Sequence, residues 1–431
     1  MKRILCLALA CLFLLACTAA PETAPVPSPA VEADPTAAPE PSFEPVQLDA
    51  PPSFTVPEIN GYADFSDVFS AALLDGTKNR NLSPISVYLA LAMAAEGANG
   101  DTQTELLQLL GCEDLEELRS VSGAMLDKLS FRSKDAALMI ADSIWIDDHD
   151  GLLKFSGDYL AVLADVYRSE ANAVDLSSTE TGKQIADWIS EQTNGKISPD
   201  PNSMRFDPET IAVLINTIYL KDVWEERFSE DATEPGTFHA PDGDLTVDYM
   251  RRTFRESRIV KGDGYLRYSI PLRNAGYMTF VLPDEGVSLE SLLGSPEKVH
   301  ALLNEGESME ANVHVKLPKF EFRDKAELTS VFKALGAKLA FSDGADFSAM
   351  CDIPAQISRV IQESYIGVNE DGVEAAAYTM IIVNGATAME PRELPDVDFF
   401  LERPFLFVIE SYGGTALFVG TVTEPTASAQ N

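Results

Sequence analysis

The sequence is poor in the residues that most often mark catalysis, metal binding or a disulfide framework. Its 431 residues include only four histidines and five cysteines. The histidines have no metal-ligand spacing between them; they are His149, His239, His300 and His314. No GxSxG, HExxH, CxxC or phosphate-loop motif is present, and an SxxK match at Ser295–Lys298 lacks its companion motifs. We therefore expect a protein that is not an enzyme and that uses neither a metal nor a cofactor.

Basic residues are also scarce. The chain has 32 Lys and Arg against 68 Asp and Glu, which gives a formal net charge of −36. Nucleic-acid binding depends on cationic side chains that neutralise phosphates, so this balance argues against it. The charge is consistent with a soluble extracellular protein toward which a cationic partner would be steered.

Most of the few cysteines lie at the N-terminus. Cys6, Cys11 and Cys17 fall within the first 17 residues, which leaves Cys112 and Cys351 for the rest of the chain. Two cysteines allow one disulfide but exclude a disulfide scaffold. We favour two free structural thiols over a single bridge.

The N-terminal segment has the pattern of a secretory signal peptide. Two basic residues precede the apolar run ILCLALACLFLLA, which is too short to span a membrane comfortably. The run ends in LLAC, and Leu14–Cys17 resembles the lipobox of bacterial lipoproteins. This resemblance implies a signal peptide over residues 1–17, lipidation of Cys17, and attachment of an extracellular protein to the bacterial cell membrane or surface. The alternative is ordinary signal cleavage near Ala19 or Ala20.

Residues 18–57 form a second segment of unusual composition. They hold eleven of the 26 prolines, many Ala and Glu, and no Lys or Arg. Such a segment cannot bury enough apolar surface to fold, and its prolines favour extended conformations. We predict a disordered linker that holds a folded domain, residues 58–427, away from a membrane.

Hydrophobic periodicity divides this domain into early helices and later strands. Helices are predicted at Tyr62–Leu74, from Ser83-Pro84 through ISVYLALAMAAEGA, and at Thr102–Leu110, Leu115–Leu129 and Thr181–Thr193. Strands are predicted at Ala136–Ile146, Ile211–Lys221, Tyr265–Pro271, Gly276–Leu282, Ala311–Pro318, Val360–Val368, Phe405–Ser411 and Leu417–Val422. The apolar run Ile211–Lys221 suits a central strand covered on both faces. Because helices come first and large sheets later, we predict an α+β fold in one domain.

Five segments of the domain resemble the serpin family. They are NRNLSPISVYLALAMAAEGANGDTQTEL (79–106), VLINTIYLKDVWEERF (213–228), VKLPKFEF (315–322), AFSDGADFSAM (340–350) and ERPFLFVIESYGGTALFVGTVTEP (402–425). The segments occur in the order found in the family and at compatible spacing, so the resemblance extends from about residue 60 to residue 425. It implies a serpin fold of three β-sheets and about eight to nine helices, with an exposed reactive-centre loop at residues 369–400.

The resemblance also implies suicide inhibition of serine proteases. In serpins the protease attacks the exposed loop and forms an acyl-enzyme. The cleaved loop then inserts as a new strand in the main sheet and carries the protease to the far pole, where its active site is distorted. The expected partner is a serine protease, held covalently by a monomeric inhibitor. The alternative is a non-inhibitory serpin that acts as a surface binding module.

The stretch VNEDGVEAAAYTMIIVNGATAMEPRELPDVDFF, residues 368–400, carries the hinge that the resemblance implies. The hinge residues are Glu370, Gly372, Val373, Glu374, Ala375, Ala376 and Ala377. Strand side chains alternate between two faces, and counting from Val373 gives one face of small or β-branched residues. This face contains Val373, Ala375, Ala377, Thr379, Ile381 and Val383, and Tyr378 falls on the other face. The pattern indicates a loop able to become a sheet strand; the alternative is that 373–383 is already a strand, joined to Val360–Val368 by a turn at Asn369–Gly372.

By resemblance, two further sets of residues control the opening of the main sheet. A hydrogen-bonded cluster beneath the sheet comprises Asn79, Ser83, Ser86, Asn216 and Gln362. Gln362 stands where the family usually has a histidine, so we expect the cluster to lack pH sensitivity. Lys319 and Glu370 match the family's ion pair at the top of the sheet.

The spacing of the family places the attacked bond 14 residues beyond Gly372, at Ala386–Thr387. A small aliphatic Ala suits an elastase-like protease. The alternatives are Thr387, Ala388, Met389, which would suit chymotrypsin-like enzymes, and Arg392, which would suit trypsin-like enzymes. Cleavage after Arg392 would add six residues, or about 20 Å at roughly 3.3 Å each, and this slack would relax the distortion of the trapped protease.

Overall fold

The structure, a computed structural model, describes residues 46–47, 54–133, 136–207, 210–374 and 393–425. All of them belong to one unit, Glu44–Asn431. The predicted signal peptide and most of the predicted linker lie outside the described residues. No helix in the described part of the chain is long and apolar enough to cross a membrane.

Nine α-helices occur among the described residues, in agreement with the expected number. They are α1 (Tyr62–Leu73), α2 (Pro84–Gly97), α3 (Gly100–Leu110), α4 (Leu115–Leu129), α5 (Gly157–Val162), α6 (Thr179–Gln192), α7 (Leu289–Leu292), α8 (Pro296–Asn304) and α9 (Thr329–Leu335). α2 is buried along its whole length. It begins with Pro84 at its first position, and Ser83 caps it by accepting a hydrogen bond from the Ser86 N–H.

Seventeen β-strands occur in the same described ranges. They are β1 (Val46–Gln47), β2 (Arg80–Leu82), β3 (Phe131–Arg132), β4 (Ala137–Asp147), β5 (Glu170–Val174), β6 (Ala212–Val223), β7 (Glu234–Ala240), β8 (Gly243–Gly262), β9 (Tyr265–Pro271), β10 (Gly276–Pro283), β11 (Glu307–Pro318), β12 (Phe320–Glu327), β13 (Arg359–Val368), β14 (Gly372–Val373), β15 (Asp396–Phe400), β16 (Phe405–Ser411) and β17 (Ala416–Val422).

Eight of these strands form the main sheet, in the order β1-β12-β13-β14-β6-β4-β3, with β5 also paired to β4. β6 lies in the centre of this sheet and is buried along almost its whole length. It runs antiparallel to β4 and parallel to β13. The central strand predicted at Ile211–Lys221 is therefore confirmed.

The other nine strands are hydrogen-bonded in the order β15-β11-β8-β9-β10-β16-β17-β2, with β7 paired to β8. The long strand β8 pairs with β7 through its first residues and with β9 through its last three. It thereby belongs to two sheets, one containing β7, β11 and β15 and the other containing β9, β10, β16, β17 and β2. With the main sheet this gives the three sheets that were expected.

The two faces of the main sheet pack against different apolar clusters. Even-numbered residues of β6, such as Leu214 and Leu220, join the large cluster that contains α2. Odd-numbered residues, such as Val213 and Ile215, pack with Ile185 and Ile189 of α6 on the opposite face. A residue that pairs with an even-numbered residue of β6 therefore faces α2, and one that pairs with an odd-numbered residue faces α6.

Two smaller predictions had different outcomes. Cys112 and Cys351 are both free thiols, as favoured. Val46–Gln47, within the predicted disordered linker, pairs in parallel with Ala326–Glu327 at the edge of the main sheet. Residues 18–45 and 48–53 lie outside the described residues, so the disordered linker stays a prediction.

Candidate functional site: the hinge and the main sheet

The hinge begins as a two-residue strand seated in the main sheet. Gly372 lies opposite Val223 of β6, and Val373 lies opposite Asp222, in antiparallel register. On its other side Val373 pairs with Val368 of β13. Val373 is buried in the large cluster on the α2 face. The first member of the predicted burial face is thus buried, as the alternation predicts.

Gly372 is required at the point where the chain turns into the sheet. Its φ is +155°, and a Cβ on this residue would lie 2.2 Å from the carbonyl oxygen of Asp222. The atom it would strike belongs to the backbone of a central strand and cannot move aside cheaply. Only glycine fits here without displacing β6.

Below the hinge, β13 and β6 pair directly with each other. Their parallel register runs from Arg359 opposite Val213 to Ser364 opposite Ile218. We call this pairing the seam. The main sheet is closed along the seam, and the two strands part only at the end where β14 lies between them. Residues 375–383, on which the alternative of a complete strand depends, lie outside the described residues.

A tight turn leads from β13 into β14. Asn369 and Gly372 each donate a backbone hydrogen bond to the carbonyl oxygen of the other, at 3.0 and 3.2 Å. Trp224, which is fully buried, holds this turn. Its Nε1 donates to the carbonyl oxygen of Asn369 at 2.9 Å, and its backbone N–H donates to that of Asp371 at 2.9 Å. The turn is therefore attached to the segment that follows β6.

Glu370, in this turn, forms the predicted ion pair with Lys319. Lys319 Nζ lies 3.0 Å from Glu370 Oε2, and Thr233 Oγ1 donates to Oε1 at 2.7 Å. Burial acts to raise the pKa of Glu370, but the hydrogen bond from Thr233 and the interactions with Lys319 outweigh it. The pKa consequently lies below its usual value, and the carboxylate stays ionised.

Glu374 is held by a second set of contacts. Its Oε1 accepts a hydrogen bond from Tyr219 Oη at 3.0 Å and lies 3.3 Å from Lys196 Nζ. Its backbone N–H donates to the carbonyl oxygen of Gly367 at 2.8 Å. Burial raises the pKa of this carboxyl, and Lys196 and Tyr219 oppose that rise. The φ of Glu374 is +49°, so the backbone leaves the extended path of β14 at this residue.

Five buried polar residues, which we call the seam cluster, lie beneath the seam on the α2 face. They are Ser83, Ser86, Asp142, Asn216 and Gln362. Gln362 is in register with Asn216, and Asn216 is in register with Asp142, so three strands contribute to one row. Opening the seam would separate Gln362 from Asn216.

Hydrogen bonds connect the seam cluster from α2 to β4. Gln362 Nε2 donates to Asn216 Oδ1 at 3.0 Å and to the Ser83 carbonyl oxygen at 2.9 Å. Gln362 Oε1 accepts from the Ser83 N–H at 3.0 Å. Asn216 Nδ2 in turn donates to Asp142 Oδ1. Ser86 Oγ donates to the carbonyl oxygen of Thr217 at 3.4 Å. Gln362 therefore forms hydrogen bonds both with Asn216 of β6 and with Ser83, the residue that caps α2.

Asn79 does not join this cluster, although the resemblance assigned it there. Its Oδ1 accepts from the N–H groups of Thr423 and Glu424 at 2.8 and 3.0 Å, and its Nδ2 donates to the Glu424 carbonyl oxygen at 2.7 Å. These contacts attach the segment before β2 to the residues that follow β17. Asn79 thus fixes the residues that follow β17 rather than the seam.

The seam cluster contains an acidic residue, Asp142, that the predicted cluster did not include. Asp142, on β4, has only 6% of its surface exposed. Burial raises its pKa to about 8, and the hydrogen bond from Asn216 opposes the rise. Replacement of the family histidine by Gln362 removes one titrating group, but Asp142 supplies another, two strands away in the same row.

The comparison with protein families agrees with this geometry. Residues 62–425 match the family model described as "Serpin (serine protease inhibitor)". This chain belongs to the serpin family. It is 31% identical over 379 residues to an uncharacterized serpin-like protein of Thermococcus kodakarensis, with 86% of each chain covered.

Solved structures give the same assignment. Serpin48 of the insect Tenebrio molitor, described as a highly specific serpin, matches this serpin with a TM-score of 0.73 and 28% identity, over 85% of this chain and 98% of that one. The thermophilic serpin Tengpin in its native state matches with a TM-score of 0.72 and 26% identity, over 89% and 97% of the respective chains.

Several predicted residues of this serpin lie outside the described residues. They are the lipidation site Cys17, the hinge residues Ala375, Ala376 and Ala377, and the reactive bond Ala386–Thr387 with its alternatives Ala388, Met389 and Arg392. These assignments stay predictions. In the described part of the chain, no three His, Cys, Asp or Glu side chains converge as metal ligands.

The residues that anchor the hinge could not be identified from the sequence alone. Trp224 lies in a segment quoted for the family resemblance, but its hydrogen bond to Asn369 connects residues 145 positions apart. Lys196 and Tyr219, which hold Glu374, are equally remote from it along the chain. Asp142 interrupts the apolar pattern of a predicted strand, and this interruption was the one signal that could have identified it.

Proposed function

We propose that this serpin inhibits serine proteases by the suicide mechanism. The protease Ser Oγ attacks the carbonyl carbon of the reactive bond, forms an ester and releases a new amine with the C-terminal peptide. The freed loop then inserts along the seam, and the protease is trapped before the ester is hydrolysed. The observation that carries this proposal is that Gly372–Val373 already pairs with both β6 and β13.

The register of this short strand supports insertion of the rest of the loop. Thr379 is six residues beyond Val373, while Asn216 and Gln362 are six residues before Asp222 and Val368, the partners of Val373. A strand continued in this register would bring Thr379 between Asn216 and Gln362. Its hydroxyl could then bond to the side-chain amides of Asn216 and Gln362, whose mutual hydrogen bond is broken when the seam opens.

Alternation in the same register supports burial of the other loop residues. Val373 faces the α2 cluster, so Ala375, Ala377, Thr379, Ile381 and Val383 would face it too. None of these residues is charged or proline, and most are small or β-branched. Such a strand can enter a closed sheet at low cost because it carries no charge into the interior.

For the target we propose an elastase-like protease that cleaves Ala386–Thr387. The support is the count from Gly372, the first residue of β14. Ala386 presents a methyl group, which suits a shallow apolar pocket. We further propose that lipidation of Cys17 attaches the protein to the outside of a bacterial membrane, with the proline-rich linker as a spacer, and that the inhibitor acts as a monomer.

The test is to incubate the purified protein with pancreatic elastase, neutrophil elastase and trypsin, and to look for complexes that survive SDS. Elastase is expected to give a complex and to release a peptide that begins at Thr387. Val373→Arg provides the matched control, because it places a charge at the first buried position of the inserting strand. This variant should be cleaved at the same bond without forming the complex.

Two results would overturn parts of the proposal. A released peptide that begins at Glu393 would show cleavage after Arg392 and would exclude the elastase assignment. Cleavage by every protease without a complex, and without a rise in thermal stability after cleavage, would favour the non-inhibitory binding module.

A further inference from the structure

We propose that Asp142 is a positioning residue for loop insertion: its neutral carboxyl keeps the seam closed, and its ionisation favours an open, hydrated sheet. The inference rests on the proposed function for its biological meaning, since it concerns the sheet that the loop must enter. It rests on contacts between described residues for its physical content.

The first step is the position of Asp142 in the sheet. It is in register with Asn216, which is in register with Gln362 across the seam. Asn216 Nδ2 donates to Asp142 Oδ1, and Asn216 Oδ1 accepts from Gln362 Nε2 at 3.0 Å. Asp142 therefore fixes the orientation of the Asn216 amide, and that orientation presents the acceptor that Gln362 needs.

Among the described residues, no cationic side chain faces Asp142 closely enough to compensate its charge. The ionisable groups on the elements packed against β4 have other partners or face elsewhere. On α2 these groups are Tyr88, whose Oη donates to the Leu110 carbonyl oxygen, and Glu96, which is paired with Arg119. On β6 they are Asp222, bonded to Asn274, Tyr219, bonded to Glu374, and Lys221. The remaining groups are exposed: Glu170 on β5, Arg132 on β3, and Glu180, Lys183, Asp187 and Glu191 on α6. On β13, beyond β6, Glu363 pairs with Lys325 at 2.8 Å.

A carboxylate in this place would be a buried charge with no cationic partner in the part of the chain that the structure describes. Such a charge is costly in the closed sheet, and burial accordingly raises the pKa of Asp142 to about 8. Parting of β13 from β6 would expose Asn216 and the carboxyl behind it to water. The open sheet would then hold the ionised form more easily than the closed one.

The sign of the pH dependence follows from proton binding. Between the lower pKa of the open state and about pH 8, the closed state binds one more proton at Asp142 than the open state does. Raising the pH within this window therefore favours opening, by at most about tenfold per pH unit, and the effect levels off above it. At acid pH the neutral carboxyl leaves the seam closed.

The test is hydrogen exchange of the seam amides in the purified full chain and in Asp142→Asn, measured at the same pH values. Asparagine keeps the oxygen that accepts from Asn216 and cannot ionise. We expect the ratio of wild-type to variant exchange rates at Ile361 and Glu363, whose N–H groups face β6, to rise several-fold between about pH 6 and about pH 8. A ratio that stays constant over this range overturns the proposal.

Two controls keep the test decisive. Amides of β16, such as Phe407 and Val408, lie in another sheet and should show no pH-dependent ratio. If Asp142→Asn does not fold, the wild-type protein alone decides. The exchange rates of the seam amides must then rise more steeply with pH than those of the β16 amides, and an equal pH dependence would overturn the inference. Neither measurement uses a protease, so a failure to trap elastase would count against the proposed function and not against this one.

Discussion

Lys319 and Glu370 lie against each other at the turn where the hinge leaves β13, with Nζ 3.0 Å from Oε2. The pair is partly exposed, so its direct contribution to stability is expected to be only about 0–1 kcal/mol. Glu370 nevertheless also accepts from Thr233, and its own carbonyl oxygen accepts from the Phe228 N–H at 3.1 Å. Its replacement would therefore loosen the turn as well as remove a charge.

The first prediction concerns this pair. Glu370→Lys should promote spontaneous loop insertion or polymerisation, because it places two cations side by side and removes the acceptor for Thr233. Size-exclusion chromatography after mild warming would measure the polymer. The double variant Lys319→Glu, Glu370→Lys restores opposite charges and should recover part of the monomer. A single variant that stays monomeric and fully inhibitory on warming would refute the assigned role.

The second prediction uses the register of Val373. If the proposed function holds, Thr379→Arg should leave this serpin a substrate that is cleaved without trapping the protease, because the charge would have to be buried between Asn216 and Gln362. Tyr378→Arg is the matched control, since residue 378 falls on the other face, opposite Glu363 in the same register. The number of inhibitor molecules consumed per trapped protease should rise strongly for Thr379→Arg and little for Tyr378→Arg. Equal effects would mean that the register does not continue.

The third prediction concerns the contact between Tyr219 and Glu374. Tyr219→Phe removes the hydroxyl that donates to the Glu374 carboxylate and should lower the free energy of unfolding by about 1–2 kcal/mol. It should also make the chain near residue 374 more sensitive to limited proteolysis. Tyr249→Phe, which loses a hydrogen bond to Thr237 in another sheet, should leave this sensitivity unchanged. If both variants behave alike, the Tyr219 contact does not hold the hinge.

The fourth prediction separates general stability from control of the hinge. Trp224→Phe and Trp145→Phe each remove one buried indole N–H, and each should lower the free energy of unfolding by about 1–3 kcal/mol. Trp224 Nε1 bonds to the hinge turn at Asn369, whereas Trp145 Nε1 bonds to Ser143 at 2.8 Å within β4. Only Trp224→Phe should accelerate polymerisation at a temperature well below unfolding. Equal acceleration would assign the effect to stability alone.

The sequence was sufficient for features that depend on local pattern. The apolar run around Ile211–Lys221 predicted a central strand because both of its faces are covered, and the structure confirms this. The bounds of Leu115–Leu129, Tyr265–Pro271 and Phe405–Ser411 agree with the structure to the residue. In these elements the local period and the tertiary environment favour the same conformation.

Other elements could not be obtained in this way. β8 was not predicted, because its exposed positions carry Arg251, Arg255 and Arg258 and its alternation is interrupted. Glu256 has a φ of +49°, and the register with β11 shifts between Ala311 and Val313. A bulge of this kind changes which residues face the core, so a simple period of two fails across it.

The candidate site was predictable only where it lies in one continuous segment. Gly372 and its neighbours could be recognised from the hinge sequence. The contact of Asp142 with Asn216 depends on the sheet register and joins residues 74 positions apart. The contact of Lys196 with Glu374 joins the segment after α6 to the hinge, 178 positions away. Asn79 shows the opposite failure, since resemblance alone placed it in a cluster that its own hydrogen bonds do not join.

The tight fit of Gly372 against β6 has a consequence for measurement along the loop. Because no other residue fits beside the Asp222 carbonyl oxygen, the strand cannot slip by one position and still place a side-chain-free residue there. A slip would also turn every buried loop residue toward the wrong face. Gly372 thus fixes the register of the strand in the main sheet. The number of residues between Gly372 and the cleaved bond then sets how far an attached protease would travel, at about 3.3 Å per residue.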